Sequence, residues 1–525
     1  MSTTGALGLD LGTTYSVVAQ VSEAGVPATL PNAEGSPTTP SVVLFDRGEV
    51  VVGQVAKEAA AADPEFVVQL AKRRMGSEWA FEYGGVPYRA EHITALIAKK
   101  LLADAHRLIG VPGDGSPSDV VATVPAYFND AMRAATRHAV ELAGARVLGL
   151  ISEPTAAAVA FGYERRLEGA EGIVVDLGGG TFDVTVLTYD HADLTVQATG
   201  GDAYLGGANF DKVLFDYFVQ SFDRAHGIDV ADPEALSVED FTQVSGDWLA
   251  RASRAKHDLT SRERTLVQLQ AAGLTHRFEL TRPAFESLAS VLLDEFTEKL
   301  EDVVASSGLK PSDLSVVLAV GGATRMPMVK DRIRALFGRE PDTSVRPDEA
   351  VALGAAIEAA RLQLEDGAGL VLDPDARDYL EAMTVTDVSA HSLGVSVFAD
   401  GTSVAKRTEV LLERNTPLPQ RAEKTFYTAR AGETRIVVPV LEGEGADPDA
   451  CIRIGEVVID DLPPDRPAYQ PVTLAMAYDR DGILKVSARD HQSGAEVTTT
   501  MTRVGAPSAS AAERGDVAVR SLIVH

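Results

Sequence analysis

The feature that most constrains this chain is a short motif that occurs twice. Gly8-Leu-Asp-Leu-Gly-Thr-Thr14 and Val175-Asp-Leu-Gly-Gly-Gly-Thr-Phe-Asp183 both set Asp-Leu-Gly at the end of an apolar run. The runs at 6–11 and 173–177, bounded by glycine and threonine, read as buried strands. A glycine turn after such a strand lets backbone N–H groups approach an anion closely, and threonine hydroxyls add donors. One turn of this kind is commonplace. Two, each preceded by an aspartate, predict a pair of related lobes facing each other. Neither has the spacing of a Walker A loop or of a dinucleotide-binding fingerprint.

Further apolar runs at 120–124 and 316–320 read as strands, and helical periodicity marks 93–109, 131–142, 208–226 and 284–307. This alternation predicts an α/β architecture through residue 360, closed by a helix from Asp348 to about Arg361. The acidic stretch 361–387, with its glycines and prolines, reads as an insertion and linker. From 388 to 505 Thr, Val and Ile alternate, with turn signals at Asp400-Gly401, Asn415-Thr416-Pro417 and Asp481-Gly482. That pattern predicts an antiparallel β unit. Residues 506–525 read as a short Ser/Ala-rich tail.

The 48 basic and 76 acidic residues give a net charge of −28. A field of that sign repels nucleic-acid backbones and anionic membranes, so neither partner is expected. Cys451 is the only cysteine, which excludes an intrachain disulfide and fits a reducing compartment. No apolar run reaches the roughly 18 residues of a membrane span. The first strand starts too close to Met1 to leave a signal peptide, so a cytoplasmic location is expected. Abundant Ala and an Arg-dominated basic set point to a GC-rich bacterial coding sequence.

The chemistry-bearing residues cluster at the motifs. Gly12, Thr13 and Thr14 form one anion-cradling turn, and Gly178, Gly179, Gly180 and Thr181 form the other. Asp10, Asp176 and Asp183 put carboxylates beside them. Magnesium keeps several of its waters and uses few protein carboxylates, so these residues suit a hydrated Mg²⁺ bridging phosphates. A third glycine site, Gly321-Gly322-Ala323-Thr324-Arg325, could hold a sugar or a base, with the Arg325 guanidinium stacking on a ring.

The order of DLGTT (10–14), KRRMG (72–76), VPAYFND (124–130), SEPTAAA (152–158), DLGGGTFD (176–183), LGG (205–207), GGATR (321–325) and PDEAVALGAA (347–356) resembles the actin-like ATPase domain of the 70-kDa heat-shock (DnaK-type) chaperone family. ERNTPLP (413–419), TFYTA (425–429) and DRDGILKVSARD (479–490) resemble that family's β-sandwich substrate domain. The resemblance implies an actin-like α/β ATPase domain of two duplicated lobes at 1–360, a linker at 361–387, and a β-sandwich at 388–505. It implies slow hydrolysis of ATP to ADP and phosphate, with Mg²⁺ as cofactor. Lys72 then positions the attacking water, Glu153 and Asp176 hold magnesium waters, and Asp10 lies across the site. Thr13, Thr14 and Tyr15 face Gly178–Thr181 around the phosphates, with the Thr181 hydroxyl near the γ-phosphate. Gly207, Lys256, Thr260, Gly321, Gly322, Arg325 and Asp348 match the nucleoside pocket. Pro125 and Arg133 match a relay that reports the nucleotide state. In the β unit, Val395, Phe398, Phe426, Ala429, Ile436 and Val438 match a groove for an extended apolar polypeptide; alternation alone reads them as sandwich core. The resemblance also brings J-domain and nucleotide-exchange partners into view.

Several positions depart from the family pattern. The chain stops at His525, so no helical lid is expected. The linker reads Met383-Thr-Val-Thr-Asp387 in place of a leucine run, which predicts weak coupling between the units. Gly149 stands where the family has an arginine that touches the J-domain partner, although Asp387 is kept. Ser253 replaces a glutamate of the nucleoside clamp, and His257 an arginine or aliphatic residue beside the base. The expected function is therefore an ATP-dependent, chaperone-like protein. The alternative is a nucleotide-sensing module with slow or no turnover and one dedicated partner. A sugar kinase of the same superfold would lack the β unit.

Overall fold

Each copy of the repeated motif ends the first strand of a meander. The computed structural model describes residues 5–60, 62–110, 116–230, 232, 236–344, 346–399, 406–500 and 509–525; the Asp400-Gly401 turn lies outside them. Leu7–Leu11 pairs antiparallel with Tyr15–Val21, which pairs with Pro27–Thr29. On its other side Leu7–Leu11 runs parallel to Asp119–Val124, and that strand to Arg146–Ser152. The second sheet repeats the plan. Ala170–Leu177 pairs antiparallel with Phe182–Asp190, that strand with Asp193–Asp202, and Val316–Val320 runs parallel on the other side. Asp10 and Asp176 are each the penultimate residue of the equivalent strand.

Both central strands are buried on both faces, as continuous apolar runs require. Two helices, Glu153–Arg165 and Ala350–Glu365, join the sheets through one core that holds Val17 and Val121 from the first and Val174 and Leu187 from the second. Small residues let these backbones approach. A Cβ on Gly354 would fall 1.7 Å from the Ala156 carbonyl oxygen, and one on Gly8 would fall 2.2 Å from the Ala356 nitrogen. The helices Ala90–Ile109 and Asp130–Leu142 pack on the first sheet. Gly207–His226 and Ser290–Ser306 contribute Phe218 and Phe296 to the core of the second. The periodic stretch at 284–307 is broken at Ala289 into two helices. Val238–Ser261, which apolar periodicity did not single out, is a further helix that buries Trp248, Ala252 and Leu259.

The expected linker is largely folded. The helix from Ala350 runs on to Glu365. Asp373 then caps a helix at Pro374–Ala382 by accepting from the N–H groups of Asp375 and Ala376. Leu380 of that helix is buried, and Tyr379 meets Tyr163 edge-on beneath the Arg166 guanidinium. Thr384–Thr386 continues as a parallel edge strand beside Asp193–Asp202. The Thr384 hydroxyl donates to Asp193 at 2.5 Å.

The β unit is two four-stranded antiparallel sheets. One orders Lys406–Leu412, Leu393–Phe398, Ile436–Glu442 and Ile452–Ile459; the other orders Gln420–Tyr427, Pro471–Tyr478, Leu484–Asp490 and Glu496–Thr500. Val395, Val440, Val457, Met476 and Val486 from both sheets share one core, the arrangement of a sandwich.

This sandwich sits against the first sheet. The tip of its Asp481-Gly482 hairpin is the principal contact. One Asp481 carboxylate oxygen accepts the Leu150 N–H at 2.9 Å, the other pairs with Arg137, and the Asp481 carbonyl accepts from Arg133 at 3.1 Å. Asp130 accepts the Leu484 N–H at 2.5 Å. Asn415 accepts the Thr199 N–H at 3.1 Å.

The tail is also more ordered than its composition suggests. Ala509–Ser521 is a helix on Ala90–Ile109 and the strand Val86–Arg89. Val519 is fully buried there. The Lys99 ammonium donates to the carbonyls of Val519, Arg520 and Leu522, which closes the helix C-terminus. Asp516 lies 3.0 Å from His92 and 3.2 Å from His138. His525 exchanges backbone hydrogen bonds with Val50 and Val52. Among the described residues no helix is long and apolar enough to cross a membrane.

Candidate active site

The two glycine turns meet between the sheets. Gly12 returns so tightly that a Cβ on it would fall 2.0 Å from the Tyr15 carbonyl oxygen. Ser41 braces this turn: its hydroxyl donates to the Gly12 carbonyl at 2.7 Å and its N–H to that of Thr14 at 2.9 Å. The second turn closes through the Gly178 N–H and the Thr181 carbonyl. It is stitched to the Gly207–His226 helix, whose Gly207 and Ala208 N–H groups donate to the carbonyls of Gly178 and Gly179. A Cβ on Gly179 would strike the Thr14 hydroxyl, and one on Gly180 the Thr13 side chain. Only glycine permits the turns to face each other this closely.

Four carboxylates and one ammonium lie beside the turns. Lys72 comes from a single 3₁₀ turn, Ala71–Arg74, and its ammonium pairs with Glu153. Glu153 opens its helix directly after Ser152, whose hydroxyl caps the Thr155 N–H. Asp10 accepts from the Thr123 hydroxyl at 3.2 Å. Asp183 pairs with Asp176 across the hairpin and accepts the Ala126 N–H at 2.7 Å and the Tyr127 N–H at 3.4 Å. Burial, reinforced by Glu153, lifts Asp10 to about 7. The same two causes, in the same order, hold Asp176 and Asp183 well above the usual carboxylate range.

A single lysine leaves this cluster short of positive charge. The second oxygen of Asp183 is buried without a partner. An all-oxygen donor set with unspent acceptors suits Mg²⁺. Among the described residues, no three acid or histidine side chains converge as direct ligands. The unpartnered Asp183 oxygen and the neighbouring carboxylates are the groups that could hold such an ion.

The third glycine site belongs to the same cleft. Gly321 has a φ of +81°, and a Cβ on it would fall 2.5 Å from an Asp176 carboxylate oxygen. Arg325 of this segment pairs with Asp348. Lys256 donates to the Gly207 carbonyl at 2.9 Å and pairs with Asp211 at 2.8 Å. Asp211, which the sequence reading missed, also takes a hydrogen bond from the Ser253 side chain. The Thr260 hydroxyl is spent on the Lys256 carbonyl within its own helix. Gly322 lies beside Asp348. Tyr15, at the far side of the first turn, is exposed and accepts from Lys57 at 2.7 Å.

Arg133 ties the site to the sandwich. Its guanidinium donates to the carbonyls of Ala126 and Phe128, beside Pro125, and to that of Asp481. Ala126 and Tyr127 are the residues whose N–H groups hold Asp183. In the sandwich, Val395 is fully buried in the core. Phe426, Ile436 and Val438 are partly buried against it, Ala429 is half-buried, and Phe398 is exposed.

A family model described as "Hsp70 protein" matches residues 6–83 and 79–516. The "Chaperone protein DnaK" of Thermosipho melanesiensis is 36% identical over 504 residues, which is 94% of this chain and 80% of that protein. The proteins of the same name from Thermotoga petrophila and Thermotoga maritima are 37% identical over 505 residues, with the same coverage. With matches of that length and strength, the chain belongs to the Hsp70 family.

Proposed function

We propose that this Hsp70-family chaperone hydrolyses ATP in the cleft between its two like-ordered sheets, and that its sandwich takes extended apolar polypeptide. The observation that carries the reading is the convergence of Lys72, Glu153, Asp10 and Asp176 beside two facing glycine turns. Phosphoryl transfer to water asks mainly for positioning and charge stabilisation. Thr13, Thr14, Tyr15 and Gly178–Thr181 supply backbone and hydroxyl donors to the β- and γ-phosphates, with the Thr181 hydroxyl nearest the γ-phosphate. Gly207, Lys256, Thr260, Gly321, Gly322, Arg325 and Asp348 line the nucleoside end. Lys72, held by Glu153, positions the attacking water. Asp10, Glu153 and Asp176 would hold Mg²⁺ through water, and the ion when bound would supply positive charge beside the transferred group. Arg133 passes changes near Asp183 to the Asp481 hairpin.

On this reading residues 1–360 are a two-lobed actin-like unit that the 374–386 segment extends, and the sandwich at 388–505 offers Phe398, Phe426, Ala429, Ile436 and Val438 to a client. The protein works in the cytoplasm, with J-domain and exchange partners open to direct binding tests. The deciding experiment is ATP hydrolysis with and without an apolar peptide. Stimulation by peptide supports the reading; an enzyme that neither binds nor turns over ATP overturns it.

A further inference from the structure

Arg73 reaches across the cleft, and nothing above gives it a task. Its Nε and Nη2 donate to the Gly180 carbonyl at 2.9 and 2.7 Å, and Nη2 also donates to the Asn209 side chain at 2.7 Å. Gly180 lies in the second glycine turn. Asn209 in turn accepts the Gly206 N–H at 3.1 Å, at the start of the helix on which that turn is stitched. Arg73 itself stands in the four-residue turn that carries Lys72, on the side of the first sheet. That turn is entered through Leu70 at a φ of 57°, a left-handed conformation that a leucine avoids unless its surroundings impose it. Arg74, the next residue, is exposed.

We propose that Arg73 is a positioning residue for ATP hydrolysis, strapping the turn that carries Lys72 to the second glycine turn across the cleft. The inference rests on the reading of Lys72 given above. A four-residue 3₁₀ turn is too short to bend between neighbours, so the seat of Arg73 fixes the seat of Lys72. The two-pronged grip on one carbonyl needs the planar fork of a guanidinium, which a lysine ammonium cannot reproduce. Misplacing a reacting group by an ångström costs on the order of a hundredfold in rate. The donors to the phosphates lie in the turns themselves, so nucleotide affinity should change little.

The test is single-turnover ATP hydrolysis and ATP affinity for the full chain and for Arg73→Ala, Arg73→Lys, Asn209→Ala and Arg74→Ala. Arg73→Ala should hydrolyse about 10- to 100-fold more slowly, with affinity within about threefold of the parent. Arg73→Lys should recover only part of the rate, and Arg74→Ala should match the parent. Added guanidinium ion at non-denaturing concentration should raise the Arg73→Ala rate and leave Lys72→Ala unmoved, a rescue that a merely structural role would not give. Should Arg73→Ala fail to fold, the decision falls to Arg73→Lys and Asn209→Ala. Either one slowed at unchanged affinity supports the strap; both at the parent rate overturn it. Arg73→Ala within twofold of the parent rate, or affinity lost in proportion to rate, also overturns it. A parent protein without ATP binding or turnover would instead overturn the functional reading beneath it.

Discussion

Asp481→Ala should release the sandwich from the ATPase unit. The carboxylate is almost buried and serves two groups on the first sheet side: the Leu150 N–H at 2.9 Å and the Arg137 guanidinium. Alanine leaves the Leu150 N–H without its acceptor, and an orphaned buried donor costs about 1–3 kcal/mol. The Arg137 pair is partly exposed, and Arg137 keeps the Val147 carbonyl at 3.1 Å and Glu141 at 3.8 Å. Its loss is therefore set at about 1 kcal/mol. The sum, roughly 2–4 kcal/mol, shifts the docked-to-released ratio by about thirty- to nearly a thousandfold, at 1.4 kcal/mol per decade. Asp481→Asn keeps an oxygen for Leu150 and should lose only about fivefold, the charge alone. Protease cleavage at the buried Asp481-Gly482 turn, which release would uncover, and small-angle scattering both read the ratio. An Asp481→Ala protein as compact and as protected as the parent would refute this account of what holds the units together.

Lys72→Ala should slow single-turnover hydrolysis by about 10²–10³ while ADP affinity stays within a few-fold, measured by quenched flow and fluorescence titration. Val385→Asp, on the linker strand and partly buried against the core between the sheets, should weaken linker docking by about 1 kcal/mol, read as faster proteolysis at 383–388. Thr384→Leu should change it by less than about 1 kcal/mol, because the threonine it replaces is exposed and already bonded to Asp193. Asp130 is held at about 6, above 3.8, chiefly by burial, with Asp479 and Glu442 of the sandwich adding to the rise. A raised carboxylate favours the docked form fully below the lower value, and that advantage is lost as pH rises through the higher one. Docking should thus tighten from pH 7 to pH 5 by scattering, and Asp130→Asn should abolish the trend. Arg466→Ala removes the cation from Asp490, its fully buried partner at 2.6 Å, which keeps only the Ser493 N–H and hydroxyl, and should destabilise the sandwich by about 3 kcal/mol in thermal unfolding.

Much of this architecture was written in local pattern. The Asp-Leu-Gly repeat marked the first strand of both meanders because a glycine turn led by a strand-end aspartate, commonplace once, is rarely found twice in one chain. The helix read from periodicity at 93–109 is one turn short at its start, where the structure begins it at Ala90, and the third glycine site followed from its strand. Other parts depend on contacts no local pattern encodes. The 374–382 helix looked like linker because its polar residues face outward and only Leu380 and Ala376 are buried. The tail helix is unremarkable until Lys99 and Val519 are seen together. Weak coupling was expected from a linker with threonines in place of a leucine run; what the sequence did not show is the partner of Thr384, Asp193, nearly two hundred positions earlier in the chain. Asp211 and Arg73 were overlooked for the same reason: a common charged residue on a helix or turn signals nothing until its partner across the cleft is known. The Asp481-Gly482 turn was recognised as a turn; only the fold reveals that its carboxylate is a plug.

The docked tail has a topological consequence. The strand Glu496–Thr500 belongs to the sandwich, whereas the helix that begins at Ala509 rests on the ATPase unit. The residues numbered 501–508 between them can span at most about 30 Å when fully stretched. The linker strand at Thr384–Thr386 fastens the other end of the sandwich to the second sheet. The sandwich is therefore a bead on a closed loop, anchored at both ends to the same body. It can swing within a tether's radius, but it cannot drift away unless the last helix peels off first, and once the Asp481, Asp130 and Asn415 contacts have parted, a force that separates the units falls on the edge strand and the buried Val519.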